Sequence, residues 1–179
     1  MQAQDILHFW FEELTDKQHF AKDAALDKMI RTRFGATLHA AVQCELFGWR
    51  ATADGALAEI ILLDQFSRNI FRDTPRAFAQ DALALALAQV LVATGQDQLL
   101  DPVQQRFAYM PYMHSESALI HAQALQLFSQ AGLEDGLDFE LRHQAIITRF
   151  GRYPHRNALL GRASSADELV FLCEPGSSF

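Results

Sequence analysis

Residues 23–46 read DAALDKMIRTRFGATLHAAVQCEL, and this stretch decides the fold class. Its apolar residues recur every three or four positions, which is the spacing of one face of an α-helix. These residues are Leu26, Ile30, Phe34, Leu38 and Val42. Asp23 is a typical N-cap residue, so the stretch predicts a helix from Ala24 to about Leu46. Gly35 lies inside this helix and predicts a bend or a close contact with another helix.

Similar apolar patterns and capping signals occur on both sides of this helix. They predict helices over Gln2–Glu13, Thr52–Phe66, Thr74–Val92, Asp101–Met110, Glu116–Gln130 and Asp138–Phe150, a short helix after Ser165, and a polar turn at Thr15–Lys22. No segment of five or more residues alternates convincingly as a strand does, so each apolar helix face needs another helix to cover it. The sequence therefore predicts an all-α fold, with residues 1–179 forming one domain of packed antiparallel helical hairpins.

The overall charge limits the partners that this chain is expected to bind. It has 22 acidic residues against 15 lysines and arginines, and a formal net charge of -7. An acidic surface repels phosphate backbones, so a nucleic-acid partner is not expected, although a recessed anion site is still allowed. The chain has only two cysteines, no basic N-terminal leader, and a longest apolar run (residues 82–94) too short to span a bilayer. We expect a cytoplasmic protein without a membrane partner.

The stretch Leu141–Ala166 concentrates positive charge in this acidic chain. It holds no Asp or Glu, and its cationic and imidazole side chains are those of Arg142, His143, Arg149, Arg152, His155, Arg156 and Arg162. The arginine fork can hold a carboxylate or phosphate through two parallel hydrogen bonds. Five arginines without a local acid must find partners elsewhere. These partners are either an anionic ligand, or backbone carbonyls and distant acids that tie helix ends together.

A second polar cluster begins where the apolar helix Thr52–Phe66 ends. If the helix continues, Asp64, Arg68 and Arg72 share one face, and so do Gln65 and Asn69. This arrangement would place a wall of hydrogen-bond donors along a groove. The alternative is an Asp64–Arg68 ion pair that only stabilises the helix end.

A third cluster surrounds His114 and Glu116. His114 precedes a predicted helix whose first turn carries Glu116, so His114 could act as a general acid or base with Glu116 as its orienting partner. The alternative is that Glu116 complements the helix dipole and His114 makes an end contact.

Common catalytic signatures are absent from the sequence. It contains no P-loop, no G-x-G-x-x-G, no G-x-S-x-G and no H-E-x-x-H, and its seven histidines are scattered. We therefore predict no cofactor and no metal site, and we assign no enzymatic reaction.

Four runs of residues carry a resemblance to a known family. They are Ile61–Phe78, His114-Ser115-Glu116, Arg149–Asn157 and Pro175–Phe179. On these runs the chain resembles the bacterial domain-of-unknown-function 924 family over nearly its whole length. The resemblance implies an all-helical fold similar to tetratricopeptide-like (TPR-like) helical hairpins in an α–α superhelix, and it supplies no function. The family motif Asp-Gln-Phe-x-Arg-Asn has Pro where this chain has Ser67, which puts the local turn geometry in question.

Three hypotheses follow for the polar clusters. In the first, Arg68, Arg72, His114, Arg152, His155 and Arg156 converge on a small phosphate- or carboxylate-bearing ligand. His114 or His155 would carry the proton, and Glu116 or Asp64 would orient it. The full set of candidate ligand-binding residues is Asp64, Gln65, Arg68, Asn69, Arg72, His114, Arg149, Arg152, Tyr153, His155, Arg156 and Asn157, and the candidates for catalysis are His114, Glu116 and His155. In the second hypothesis, a TPR-like groove binds an acidic peptide or protein partner. In the third, the clusters only lock helix ends.

Overall fold

The computed structural model describes residues 1–177, and these residues form α-helices, short π-helical and 3₁₀ turns, and no strands. The α-helices are α1 (Ala3–His8), α2 (Asp16–Phe20), α3 (Ala24–Val42), α4 (Ala53–Ile61), α5 (Ser67–Ile70), α6 (Asp81–Ala93), α7 (Pro102–Met113), α8 (Ala118–Phe128), α9 (Glu134–Phe150) and α10 (Ala166–Phe171). π-Helical turns occupy Phe9–Glu13 and Leu62–Phe66, and 3₁₀ turns occupy Phe47–Ala51, Pro75–Phe78, Gln96–Leu99 and Pro154–Arg156. The all-α prediction is confirmed.

Helix α4 and the π-helical turn that continues it lie at the centre of the core. Almost every residue from Ala53 to Phe66 is buried, because the segment is predominantly apolar and its buried acid Glu59 is paired with Arg50. Helix α4 packs against α1, α6 and α7, while α3 packs against the π-helical turn and α5. Gly55 needs to be glycine, because a Cβ atom there would lie 2.0 Å from the carbonyl oxygen of Trp49. The polar residues that follow Leu63 are therefore carried on the most deeply buried segment of the chain.

The later helices pack mainly against their neighbours in sequence. Contacts join α6 to α7, α7 to α8, and α8 to α9, as expected for consecutive helical hairpins. A smaller apolar cluster around Ile146, Ile147 and Tyr153 lies where α9 meets the chain that follows it. The superhelical arrangement implied by the TPR resemblance stays a prediction.

Helix α3 confirms its predicted start and core face but differs at its end. The Asp23 carboxylate accepts hydrogen bonds from the backbone N–H groups of Ala25 and Leu26, as an N-cap does. The helix stops at Val42, four residues before the predicted end, and Cys44 then takes a positive φ of 57°. The close helix contact expected at Gly35 is wrong, because no atom lies within 4 Å of a Cβ atom built there.

Several other predicted boundaries are also wrong. The turn predicted at 15–22 contains α2, because Thr15 and Gln18 form a capping box. The fourth helix divides into a 3₁₀ turn and α6, whereas α7 continues through Pro111 to Met113. Helix α8 begins at Ala118, after the N-cap Ser117, and not at Glu116. The tail is turn-like as far as Ser177, and the last two residues of the Pro175–Phe179 run lie outside the described residues.

One helical stretch, Pro75–Ala93, has the length and apolar composition of a membrane span, with 22% of it buried. It is longer than the apolar run seen in the sequence, because the 3₁₀ turn precedes α6. Core helices of soluble proteins pass the same test, so this stretch is weak evidence for a membrane. That the protein has no membrane partner stays a prediction.

Candidate functional site

Asp64 is the buried acid around which the polar residues are arranged. It lies in the π-helical turn Leu62–Phe66 and is 1% exposed. Such turns inside α-helices are frequent at functional sites. Ser67, the residue after this turn, has a φ of -59°, which is a value that proline also adopts.

The Asp64 carboxylate binds the imidazole of His114 at the end of α7. His114 Nδ1 lies 2.7 Å from Asp64 Oδ1, and Gln65 Nε2 donates a second hydrogen bond to Asp64 Oδ2. Burial raises the pKa of Asp64, but the nearby Arg68 guanidinium and the His114 contact outweigh it, so the pKa is lowered. Burial and Arg68 in turn lower the pKa of His114. At neutral pH, Asp64 is therefore an anion and His114 is neutral.

This charge state decides which nitrogen of His114 carries the proton. An ionised carboxylate only accepts hydrogen bonds, so His114 Nδ1 must be the donor. Its Nε2 atom then holds a lone pair and can accept a proton. A buried aspartate that orients a neutral histidine in this way is an arrangement suited to general-base chemistry.

Next to this pair, Asp81 at the start of α6 lies between two guanidinium groups. Arg68 donates to both of its carboxylate oxygens at 3.0 and 3.1 Å. Arg156 Nη1 donates to Asp81 Oδ2 at 3.0 Å. Arg68 also lies 3.1 Å from Asp64. Ion pairs therefore connect Asp64 to Arg156, and a hydrogen bond connects Asp64 to His114. We call these five residues, Asp64, Arg68, Asp81, His114 and Arg156, the dyad cluster.

Arg156 is the member of the dyad cluster with the least complete hydrogen bonding. Its side chain is 8% exposed and lies between the Phe78 and Tyr153 rings, 4.5 and 4.7 Å from their centroids. Its Nε atom is buried and has no hydrogen-bond partner. Burial lowers the pKa of Arg156, and Arg68 adds to this effect against the opposing influence of Asp81. A buried N–H donor in an electrostatically unfavourable position would gain free energy from a bound anion.

A layer of buried hydrogen bonds supports the Tyr153 ring against which Arg156 packs. Tyr153 Oη donates to the backbone carbonyl of Met113 and lies 3.1 Å from His121 Nε2. His121 Nε2 also lies 2.9 Å from the carbonyl of Ser115, so this nitrogen is a donor. Burial raises the pKa of Glu140, whose Oε1 lies 2.7 Å from His121 Nδ1.

Two further histidines lie against the same layer. The Tyr153 ring is 5.7 Å from the His143 ring and 5.6 Å from the His155 ring, measured between centroids. Burial lowers the pKa of His143 to about 3, and burial together with Arg156 lowers that of His155 to about 4. Both are therefore neutral at pH 7, like His114.

The structure does not bring all predicted site residues into the dyad cluster. Arg72 was expected to join it and instead donates two hydrogen bonds to Asp27 of α3. Asn69 donates to the same carboxylate. Both side chains are directed toward α3 because this helix packs against α5.

The residues around Arg156 are also divided between different roles. Arg152 was expected in the site but pairs with Glu168 of α10, through two hydrogen bonds of 2.7 and 2.8 Å. Arg149 is exposed and lies over the rings of Phe150 and Phe171. Buried Asn157 binds Ser164 and Arg162, within its own loop. The contacts of Arg152 and Asn157 match the third hypothesis, in which these side chains only lock helix ends.

Of the two carboxylates expected to orient His114, Asp64 binds it and Glu116 has other partners. The Glu116 carboxylate accepts hydrogen bonds from the Tyr153 backbone N–H and from two nitrogens of Arg162. Because α8 starts only at Ala118, Glu116 lies in the connection before it, close to the loop that follows α9. Asp64, 50 residues before His114 in the chain, orients the imidazole instead.

Asp81 and Phe78 were missed by the sequence analysis. Phe78 is the last residue of the motif run, and Asp81 lies three residues after it. The available signal for Asp81 was an acidic residue near the start of an Ala-Leu-rich helix. The partners of Asp81, Arg68 and Arg156, lie 13 and 75 residues away from it in the chain.

Cavities and metal-ligand geometry further limit the site. Two hollows among the described residues, with volumes of about 530 and 220 Å³, are not lined by any residue of the dyad cluster. His114 and Arg68 reach solvent only through side-chain exposures of 12% and 21%. Neither hollow is therefore the concave site at which Arg68, Arg72, His114, Arg152, His155 and Arg156 were expected to converge. Within residues 1–177, no group of three His, Cys, Asp or Glu is arranged to hold a metal ion.

Fold and site together define an all-helical protein with a buried Asp–His pair linked to two arginines. The chain belongs to the family described as bacterial protein of unknown function (DUF924), which matches residues 6–176. It is similar to the solved structure of a protein of unknown function from Agrobacterium tumefaciens, at 36% identity over 96% of each chain and a TM-score of 0.86. No curated protein matches it.

Proposed function

We propose that the dyad cluster binds a small ligand through one phosphate or carboxylate group, and that His114 accepts a proton from that ligand. The observation that carries the proposal is the buried Nε–H of Arg156, which has no partner beside an otherwise well-paired ionic network. Native proteins rarely leave such a donor unsatisfied, and a bound oxyanion satisfies it.

The charges of the cluster support a small and weakly charged ligand. Two guanidiniums face two carboxylates, so the cluster is close to neutral while His114 is uncharged. Recognition therefore depends on donor geometry at Arg156 more than on excess positive charge. The shallow exposure of His114 and Arg68 suits one functional group better than a whole large molecule.

Asp64 gives His114 its role in this proposal. By accepting a hydrogen bond from Nδ1–H, Asp64 fixes the orientation of the ring and leaves Nε2 as the basic atom. A ligand with an O–H or N–H group near its anionic group can donate to Nε2 while its oxygen binds Arg156. The neighbouring Arg68 then stabilises negative charge that develops on the ligand.

The variant Arg156→Lys tests this proposal. Lysine keeps a positive charge beside Asp81 but cannot supply the guanidinium Nε–H. In calorimetric titrations with inorganic phosphate, we expect saturable binding to the wild type and at least about tenfold weaker binding to Arg156→Lys, as the loss of one charge-assisted hydrogen bond implies.

Arg142→Lys is the matched control, because Arg142 is exposed and pairs only with its helix neighbour Asp138 among the described residues. It should bind phosphate as the wild type does. Equal binding to all three proteins, or no binding to the wild type, would mean that the dyad cluster is a structural ion network, as the third hypothesis states.

A further inference from the structure

The 530 Å³ hollow lies between α3 and the chain that follows α5, away from the dyad cluster. We call it the arginine hollow. Its walls include Arg31 and Gly35 of α3, and Ile70, Phe71, Arg72 and Arg76 opposite them. It is a surface hollow that is widely open to solvent.

The arginine hollow carries more positive charge than its acids neutralise. Arg72 is paired with Asp27, whereas Arg31 donates to the backbone carbonyl of Ile70. Arg76 lies 3.8 Å from the centroid of the Phe71 ring. Within the part of the chain that the structure describes, neither Arg31 nor Arg76 has a carboxylate within ion-pair distance. This is a local cationic surface on a protein of net charge -7.

The acids and cations near the arginine hollow do not cancel this excess. Asp73, in the turn beside Arg72, lies 3.7 Å from Lys22 and is exposed. Asp27 is already bound by Arg72 and Asn69. Arg31 donates to the Ile70 carbonyl and helps to lower the pKa of Asp27, and Arg76 lies over the Phe71 ring. Among the described residues, neither guanidinium is within ion-pair distance of a carboxylate.

Gly35 is a second and independent observation. It lies in the interior of the 19-residue helix α3, where glycine weakens a helix relative to alanine. Neither a positive φ nor a close neighbour requires glycine there, since a Cβ atom would meet nothing within 4 Å. The space that a side chain would fill is part of the arginine hollow. The absence of a side chain at Gly35 therefore enlarges the hollow, and no packing contact requires that absence.

We propose that the arginine hollow binds a small organic anion that carries at least two phosphate or carboxylate groups. One group binds Arg31 on α3 and the other binds Arg76 on the opposite wall, because the arginine fork suits both oxyanions. The side chains of Phe71 and Pro75 contact the carbon skeleton of the ligand. The acidic surface of the protein disfavours a long polyanion such as a nucleic acid.

Two variants are designed to block the arginine hollow without unfolding the protein. Gly35→Leu fills it from a position with free space and replaces glycine by a good helix former. Arg76→Gln removes an exposed guanidinium that has no ion pair in the described chain. The controls are Ala36→Leu, at the exposed next position of α3, and Arg142→Gln, which makes the same change in net charge elsewhere.

The experiment is a calorimetric titration of each protein with pyrophosphate, citrate and hexaglutamate. We expect pyrophosphate, citrate or both to bind the wild type and both controls, and to bind Gly35→Leu and Arg76→Gln at least about tenfold more weakly. Binding of pyrophosphate alone identifies a phosphorylated ligand, and binding of citrate alone identifies a polycarboxylate. Arg156→Lys should bind these anions like the wild type, which separates this site from the dyad cluster.

Three results would overturn the proposal. The first is that neither small anion binds the wild type. The second is that Gly35→Leu and Arg76→Gln bind as strongly as their controls. The third is that hexaglutamate alone binds, which would make the hollow a groove for an acidic peptide.

Discussion

The dyad cluster and the arginine hollow use the same residue types in opposite ways. In the dyad cluster, Arg68 and Arg156 are mostly buried and share the carboxylate of Asp81. In the arginine hollow, Arg31 and Arg76 are exposed and have no such carboxylate among the described residues. The run from residue 61 to residue 78 contributes to both regions, because its helical part faces the core and its final turns face solvent.

This difference separates the consequences of mutation in the two regions. Removing one partner from a buried ionic network leaves a charge without compensation, which costs stability. Removing an exposed arginine changes little in the fold, so its effect should appear only in ligand binding. The predictions below test this separation in order of decreasing effect.

Asp64→Asn should have the largest effect on stability. The substitution keeps the shape of the side chain but leaves Arg68 and His114 beside a neutral amide, so we expect a loss of roughly 3–5 kcal/mol in the free energy of unfolding. Urea denaturation measures it. Asp138→Asn, which removes only an exposed helix pair with Arg142, is the control and should change little. Equal losses in the two variants would remove the distinction between buried and exposed charges.

Acid should destabilise the protein through its buried neutral histidines. The pKa of His143 is lowered to about 3 and that of His155 to about 4, whereas both are near 6.5 in the unfolded chain. The unfolded state therefore binds protons first as the pH falls, and stability is lost from about pH 6.5 downward.

Between pH 6.5 and 4.5, each of these histidines should lower the free energy of unfolding by up to about 2–3 kcal/mol, at about 1.4 kcal/mol per pH unit. Urea denaturation across this range measures the slope, and His155→Gln should make it shallower. A stability that stays constant or rises toward pH 4.5 would contradict the neutral state of these rings. The arginine hollow has no histidine among the residues that line it, so it should not contribute to the slope.

Tyr153→Phe tests the layer of hydrogen bonds beneath the dyad cluster. It removes the donor to the carbonyl of Met113 and a contact with His121 Nε2, so we expect a loss of about 1–3 kcal/mol. Thermal and urea denaturation measure this loss. If the layer also positions Arg156, phosphate binding should weaken in the folded variant. An unchanged stability would show that this layer does not support the cluster.

Gly35→Ala should produce the smallest change, and in the opposite direction. Its Cβ atom enters free space in the interior of α3, so the substitution should raise stability by about 0.5–1 kcal/mol. Denaturation under the same conditions measures it, with Gly151→Ala as the reverse control. Gly151 ends α9 with φ +69°, where alanine is strained and should lower stability. A clear loss from Gly35→Ala would mean that the helix needs glycine at this position.

The parts of the fold that depend on local sequence were predictable. The core face of α3 follows from the spacing of Leu26, Ile30, Phe34 and Leu38, all of which are buried. The predicted helix ends were less accurate. Helix α7 continues through Pro111, and α8 starts after Ser117 and not after Ser115. Capping preferences alone do not decide between two serines so close together.

The candidate site was predictable only where its contacts are local. The Asp64–Arg68 pair follows from a spacing of four residues on one helix. The Asp64–His114 and Asp81–Arg156 contacts join residues 50 and 75 positions apart, and they depend on how α4, α6 and α7 pack. The sequence offered both Glu116 and Asp64 as the carboxylate that orients His114, and it could not decide between them. The shortage of acids around Arg156 correctly indicated distant partners but could not name Asp81.

The buried Nε–H of Arg156 is the most direct test of the central claim that the dyad cluster holds an anion. The measurement is a ¹⁵N–¹H NMR titration at neutral pH, which follows the Nε–H signal of Arg156 and the Nε2 signal of His114 as inorganic phosphate is added. We predict that both signals shift together and saturate, while the Nε–H signal of Arg152, already bound to Glu168, stays in place. If the Arg156 signal does not move, or moves only in parallel with that of Arg152, the cluster binds no anion and the account is contradicted.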